Sequence, residues 1–198
     1  MNIQKLYYRS VNIITSSSKE WKLIREENLS IRELKKQVLY PYAILIGIFT
    51  FFGTLFNNLH SPVFSSLYLL INALIEFGII YFTTVISSWI AFRMAVNLDE
   101  SNRHRSCFAL VTYSSVPFFI LLAITRLFPP LLFILVVSAF SVLVFWRGID
   151  ILLRIPADRK RQYLIITLLL TLTVYVVFSQ IMTLLYSALT KEFSTFGN

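Results

Sequence analysis

LYLLINALIEFGIIYFTTVISSWIAF, residues 67–92, is apolar from end to end and broken by one charge, Glu76. A bilayer core of about 30 Å needs about 20 apolar residues at a rise of about 1.5 Å each. The stretch is therefore expected to cross a membrane as a helix, because only a helix satisfies every backbone N–H and C=O without help from lipid. Four more apolar stretches, at residues 38–59, 107–125, 130–146 and 163–187, reach or approach the same length. The expected fold class is an all-α polytopic membrane protein with five transmembrane helices and short amphipathic N-terminal helices.

Composition agrees: 57% of the 198 residues are hydrophobic and only 14% charged, outside soluble-domain usage. The charges are also sorted. Of 18 Lys/Arg, eight precede the first span, three (Arg93, Arg103, Arg105) follow the second and five (Arg147, Arg154, Arg159, Lys160, Arg161) follow the fourth. If every stretch crosses once, these sixteen share one side, and only Arg126 and Lys191 lie on the other. The positive-inside rule then gives a cytoplasmic N-terminus and an external C-terminus. Interfacial aromatics fit this frame, with Tyr40, Tyr42, Trp89, Trp146 and Tyr163 at the inner boundary and Tyr68 and Tyr186 at the outer. The domains read as a cytoplasmic amphipathic region (1–37), a five-helix transmembrane domain (38–187) and a short external tail (188–198). No apolar core precedes the first span, so no signal peptide is expected.

The net charge of +8 is the excess of the cytoplasmic face and points to anionic phospholipid, with Arg103, Arg105, Arg154, Arg159, Lys160 and Arg161 as the contacts. No nucleic-acid-binding motif accompanies it. Cys107 is the only cysteine, and His60 and His104 fall on opposite sides, so no metal site is expected. Five glycines in no phosphate-binding pattern exclude a nucleotide fold. No cofactor is implied.

Ser17-x-x-Glu20 and Ser30-x-x-Glu33 have capping-box spacing, and Trp21, Ile24, Leu34 and Val38 follow them on one face. Two short helices are expected here, suited to the headgroup layer or to a solvated tail.

Glu76 would lie about 15 Å deep, where a charge is costly unless paired or protonated. Asn72, Glu76, Thr83 and Ser87 recur at helical spacing, making one face of this span polar. Ala43, Gly47, Thr50, Thr54 and Asn57 on the first span match it, as do Thr173, Gln180, Thr183 and Ser187 on the fifth. The three helices are expected to meet in a polar seam. That seam is either interhelical glue or a transport path or headgroup site, with snorkelling of Glu76 a third reading. A catalytic pair lacks a second intramembrane acid. In the third span Pro117 removes a backbone donor and frees the Tyr113 carbonyl, so a kink is expected there, as a fixed bend or a hinge.

Tyr113-Ser-Ser-Val-Pro117, Phe145-Trp-Arg-Gly-Ile149 with Ile155-Pro156, and Trp21 to Glu26 together resemble the Yip1 family over about residues 15–187. The resemblance implies five spans and a cytoplasmic N-terminus. Eukaryotic members act in vesicle trafficking and bind Rab-type GTPases and one another. The Asp-Leu-Tyr-Gly-Pro-like motif near the first span is missing and the N-terminal tail is short. The chain looks like the bacterial branch, and its Lys-, Ile- and Asn-rich usage suits a bacterial inner (plasma) membrane. The resemblance implies no catalytic residue. The functional expectation is a non-enzymatic protein organising membrane or protein partners through a basic cytoplasmic face, homo-oligomerisation included. The alternative is a small transporter, channel or lipid translocase using the seam around Glu76.

Overall fold

The computed structural model describes residues 3–58, 66–95 and 100–195, and every regular element among them is helical. His60 and residues 196–198 of the expected tail lie outside the described residues. Helices α1 (Ile3–Thr15), α2 (Ser17–Glu27) and α3 (Ile31–Leu34) precede a π-helical turn, Lys35–Leu39, which runs directly into α4 (Tyr40–Asn58). Then come α5 (Ser66–Met94), α6 (Glu100–Ser114), α7 (Val116–Leu127), a 3-10 segment (Pro129–Ala139), α8 (Phe140–Gly148), a second π-helical turn (Ile149–Leu153) and α9 (Ala157–Thr195). The protein is thus an all-α, multi-span membrane fold.

Among the described residues four helical runs are long and apolar enough to cross a membrane: Ile31–Asn57, Leu67–Met94, Pro129–Leu153 and Ala157–Leu184. A fifth arises if the pair Asn102–Ser114 and Val116–Leu127, bent by 41° at its break, forms one span. The bend sits where Pro117 enters the first turn of α7. Pro lacks the N–H and is tolerated at a helix start. Ser115 Oγ donates to Val111 O at 2.8 Å across the break, whereas Ser114 Oγ is buried without a hydrogen-bond partner.

α4 packs on α5 and α7, α5 also packs on α6 and α9, and the 3-10 segment returns along α7. Small residues permit the close approaches. A Cβ on Gly53 would overlap the Arg126 carbonyl oxygen, and one on Gly47 would come within 3.2 Å of Ala73 O. α9 buries little against the rest of the chain: Leu169, Leu172, Val176, Ile181 and Leu184 are exposed. Such a face suits lipid, where apolar exposure carries no hydrophobic cost.

The N-terminal region forms a helical cap whose apolar face, Trp21, Ile24, Leu34 and Val38 included, packs into the core. Trp21 is 0% exposed, edge-on to Tyr113 at 6.2 Å, with its indole N–H donating to Val144 O at 3.1 Å. Gly148 makes room, since a Cβ there would fall 2.8 Å from the indole. Ile13, Leu34, Val38, Phe108, Leu110, Phe145, Ile149 and Leu153 complete this core.

The capping box at Ser30 forms: Glu33 N–H donates to Ser30 Oγ at 3.3 Å, and Ser30 N–H donates to the Glu33 carboxylate at 2.8 Å. The one expected at Ser17 does not. Ser16 occupies the N-cap of α2 without a side-chain bond, and Ser17 Oγ is buried and unpartnered. Glu20 is drawn instead to Arg9, which offers a full charge where the cap offered one backbone N–H.

Candidate functional site: a basic cap and an intramembrane ion pair

Arg9 clamps the cap. Its Nε donates to Glu20 Oε1 at 3.0 Å, and its two terminal nitrogens grip Glu27 at 2.8 and 2.7 Å. It also donates to the Tyr113 hydroxyl at 3.0 Å. A planar guanidinium suits this bidentate geometry. Tyr113, expected only to shape a kink, thereby joins α1 to the third apolar stretch. The hydroxyls of Tyr42 and Ser10 make a second tie between α1 and α4.

The hydrogen bond from Arg9 holds the Glu27 carboxyl below its ordinary value of 4.5, outweighing the opposite effect of burial, and Lys5 at 3.3 Å adds to it. A carboxylate depressed in the folded state contributes stability that is complete above its unfolded value and lost as pH falls through the folded one. Acidification below about pH 4.5 is therefore expected to loosen α1, read as faster amide exchange across residues 3–15. In Glu27→Gln that acid-induced loosening should shrink, and an unchanged acid response in the variant would remove Glu27 as its source.

Beside the clamp, residues from three separate basic segments surround a cavity of about 360 Å³: Arg25, Asn28, Asn102, Arg105, Ser106 and Arg154, with Glu26 the one acidic residue among the described residues that line it. Arg105 donates to Asn28 O at 3.1 Å and to Asn102 Oδ1 at 2.8 Å, and Arg25 reaches Ile151 O at 3.4 Å. Two lining residues have left-handed backbones, Asn28 (φ 51°) and Arg154 (φ 49°). Asn adopts this conformation readily, but for Arg it is strained. Arg154 ends the second π-helical turn, its N–H donating to Ile149 O at 3.1 Å.

Of the six basic residues expected to touch lipid, Arg105 and Arg154 line this cavity, and Arg159 and Arg161 are exposed. Lys160 is taken up by the protein: it is buried, pairs with Asp150 at 2.5 Å and lies 3.8 Å from the Trp146 ring centre. Arg103 stacks on Phe92 at 4.7 Å. Arg25 was missed, because α2 read as an amphipathic strip whose polar face had no assigned neighbour.

At the opposite end a second cavity, of about 400 Å³, lies between α4, α5 and α7, with Tyr175 of α9 at one wall. Asn72 and Glu76 line it from α5, Thr50, Thr54 and Asn57 from α4, and Thr125 and Arg126 from α7. Glu76 is 8% exposed and pairs with Arg126 Nη2 at 2.5 Å. Asn72 Nδ2 donates to Thr54 Oγ1 at 3.4 Å. Thr83 and Ser87 are buried further along α5, without hydrogen-bond partners, and do not line the cavity. Gln180 and Thr183 are exposed on α9 and are not brought to it. The seam thus runs through the first, second and third apolar stretches. Arg126 was missed as a partner because it ends an apolar run and read as a boundary charge.

Among the described residues no group of three or more His, Cys, Asp or Glu could hold a metal, and Cys107 is buried. The family model described as the Yip1 domain matches residues 11–179. No curated protein and no solved structure matches the chain.

Proposed function

The chain belongs to the Yip1 family, and on that premise we propose that it organises a bacterial inner membrane and its partners through a basic cytoplasmic face built on the N-terminal cap. The observation that carries this reading is the cavity where Arg25, Arg105 and Arg154 converge from three segments far apart in the chain. Among the described residues that line it, three guanidiniums against one carboxylate favour an anionic phospholipid headgroup, bound bidentately through phosphate. The left-handed Arg154 at its wall supports a built site, since backbone strain persists where surrounding structure holds it for use.

Five spans follow from taking α6 and α7 as one bent crossing. Contacts of Arg105 with Asn28 and of Arg25 with Ile151 support it, because they draw the N-terminal cap, the start of α6 and the end of the fourth span to one end. With the positive-inside rule, five spans support a cytoplasmic N-terminus and an external C-terminus.

Organisation implies company. Crosslinking in native membranes followed by affinity purification of the full chain is expected to recover a second copy or another membrane protein in stoichiometric amount. Recovery of neither would contradict the organising role.

A further inference from the structure

The cavity around Glu76 holds charges of both signs with bonding capacity to spare. Glu76 gives Oε1 to Arg126, while its Oε2 is buried without a hydrogen-bond partner, and so is Arg126 Nε. Unpartnered buried groups of this kind are costly, yet both belong to side chains lining one cavity of about 400 Å³, within the size range of small-molecule sites.

We propose that this cavity binds an ammonium–phosphate zwitterion, the headgroup chemistry of phosphatidylethanolamine, from the leaflet opposite the basic face. An ammonium has three donors and no acceptor. Glu76 Oε2 supplies a charged acceptor. Thr50 and Thr125 supply two more, because each hydroxyl already gives its proton to a carbonyl of its own helix, Ile46 O and Leu122 O, both at 2.9 Å. The phosphate goes to the Arg126 guanidinium, whose fork matches it. Net charge decides against simpler ligands. A lone anion would compete with Glu76 for Arg126 and a lone cation would compete with Arg126 for Glu76, whereas a zwitterion offers each a counter-charge and leaves the sum unchanged. At the rim Pro129, Leu132 and Leu135 add an apolar wall on which the first acyl carbons can lie. The same zwitterion could come from a lipid or from soluble glycerophosphoethanolamine, a phosphodiester of the same net charge. This site shares no residue with the Arg25–Arg105–Arg154 cavity, so either can fail without the other.

The test uses the full chain in nanodiscs and a phosphatidylethanolamine carrying a photoreactive diazirine near its headgroup, with labelled peptides mapped by mass spectrometry. Label is expected on residues 50–57, 72–76 and 122–135. Unlabelled phosphatidylethanolamine should displace it at least tenfold better than phosphatidylethanol, which keeps the phosphodiester and lacks the ammonium. Glu76→Gln should abolish that preference, and the comparison on the unsubstituted protein stands should this variant not fold. Displacement by soluble glycerophosphoethanolamine assigns the zwitterion to a free solute, and resistance to it assigns a lipid; either supports the site. Equal displacement by the two phospholipids, or label spread evenly over the lipid-facing helices, would overturn it.

Discussion

Trp21→Ala is expected to destabilise the protein by about 3–5 kcal/mol, the usual cost of emptying a fully buried aromatic position. The ring sits in a slot that Gly148 keeps open and stands edge-on to Tyr113. Its indole N–H satisfies Val144 O, a carbonyl that the substitution leaves without this partner. Trp21→Phe keeps most of the apolar contact and loses the bond, so about 1 kcal/mol is expected. The two values are to be read from reversible unfolding in mixed micelles. Near-equal and negligible losses would mean that α2 lies on the headgroups and is not docked on the bundle.

Glu76→Ala is expected to cost about 3 kcal/mol. Breaking a buried ion pair by deleting one partner costs about 3–5 kcal/mol because the other charge is stranded. The lower end applies because 34% of the Arg126 side chain is exposed. Combining Glu76→Ala with Arg126→Met removes the stranded charge and should recover at least half of the loss, a coupling of about 1–3 kcal/mol. Strictly additive losses in the double variant would mean that Glu76 and Arg126 do not stabilise one another. The pair joins α5 to α7 at the level where Gly53 lets α4 meet the Arg126 backbone, so its loss should open the cavity as well as weaken the bundle.

Hydropathy is a local property, and what depends on it was legible. The apolar stretches, the intramembrane acid and the proline bend each follow from residues adjacent in sequence, and so does the Ser30 capping box. Partnerships across the chain were not legible. Arg9 and Tyr113 are 104 residues apart, and no periodicity links an N-terminal arginine to a tyrosine inside a span. Arg9 also explains the capping box lost at Ser17, since the Glu20 carboxylate that would have closed it pairs with the guanidinium instead.

Helical spacing gives the angle of a side chain about its own axis and leaves the neighbouring helix undetermined. Asn72 and Glu76 therefore lie on one face as expected, while Gln180, at a similar depth, points away from them. α9 packs chiefly on α5, and Tyr175, not Gln180, meets the cavity. Lys160 teaches a related lesson. Its charge was countable from sequence, but Asp150 and Trp146 withdraw it from the surface, whereas Arg25, on the unassigned polar face of α2, joins the site.

The basic cavity is the centre of the functional reading, and lipid retention tests it most directly. Full-length protein extracted in mild detergent from membranes containing anionic and zwitterionic phospholipids is compared with an Arg25→Gln, Arg105→Gln, Arg154→Gln variant by native mass spectrometry. The unsubstituted protein should retain an anionic phospholipid that the folded triple variant loses at least tenfold. Equal retention of anionic lipid by the two proteins would contradict the account.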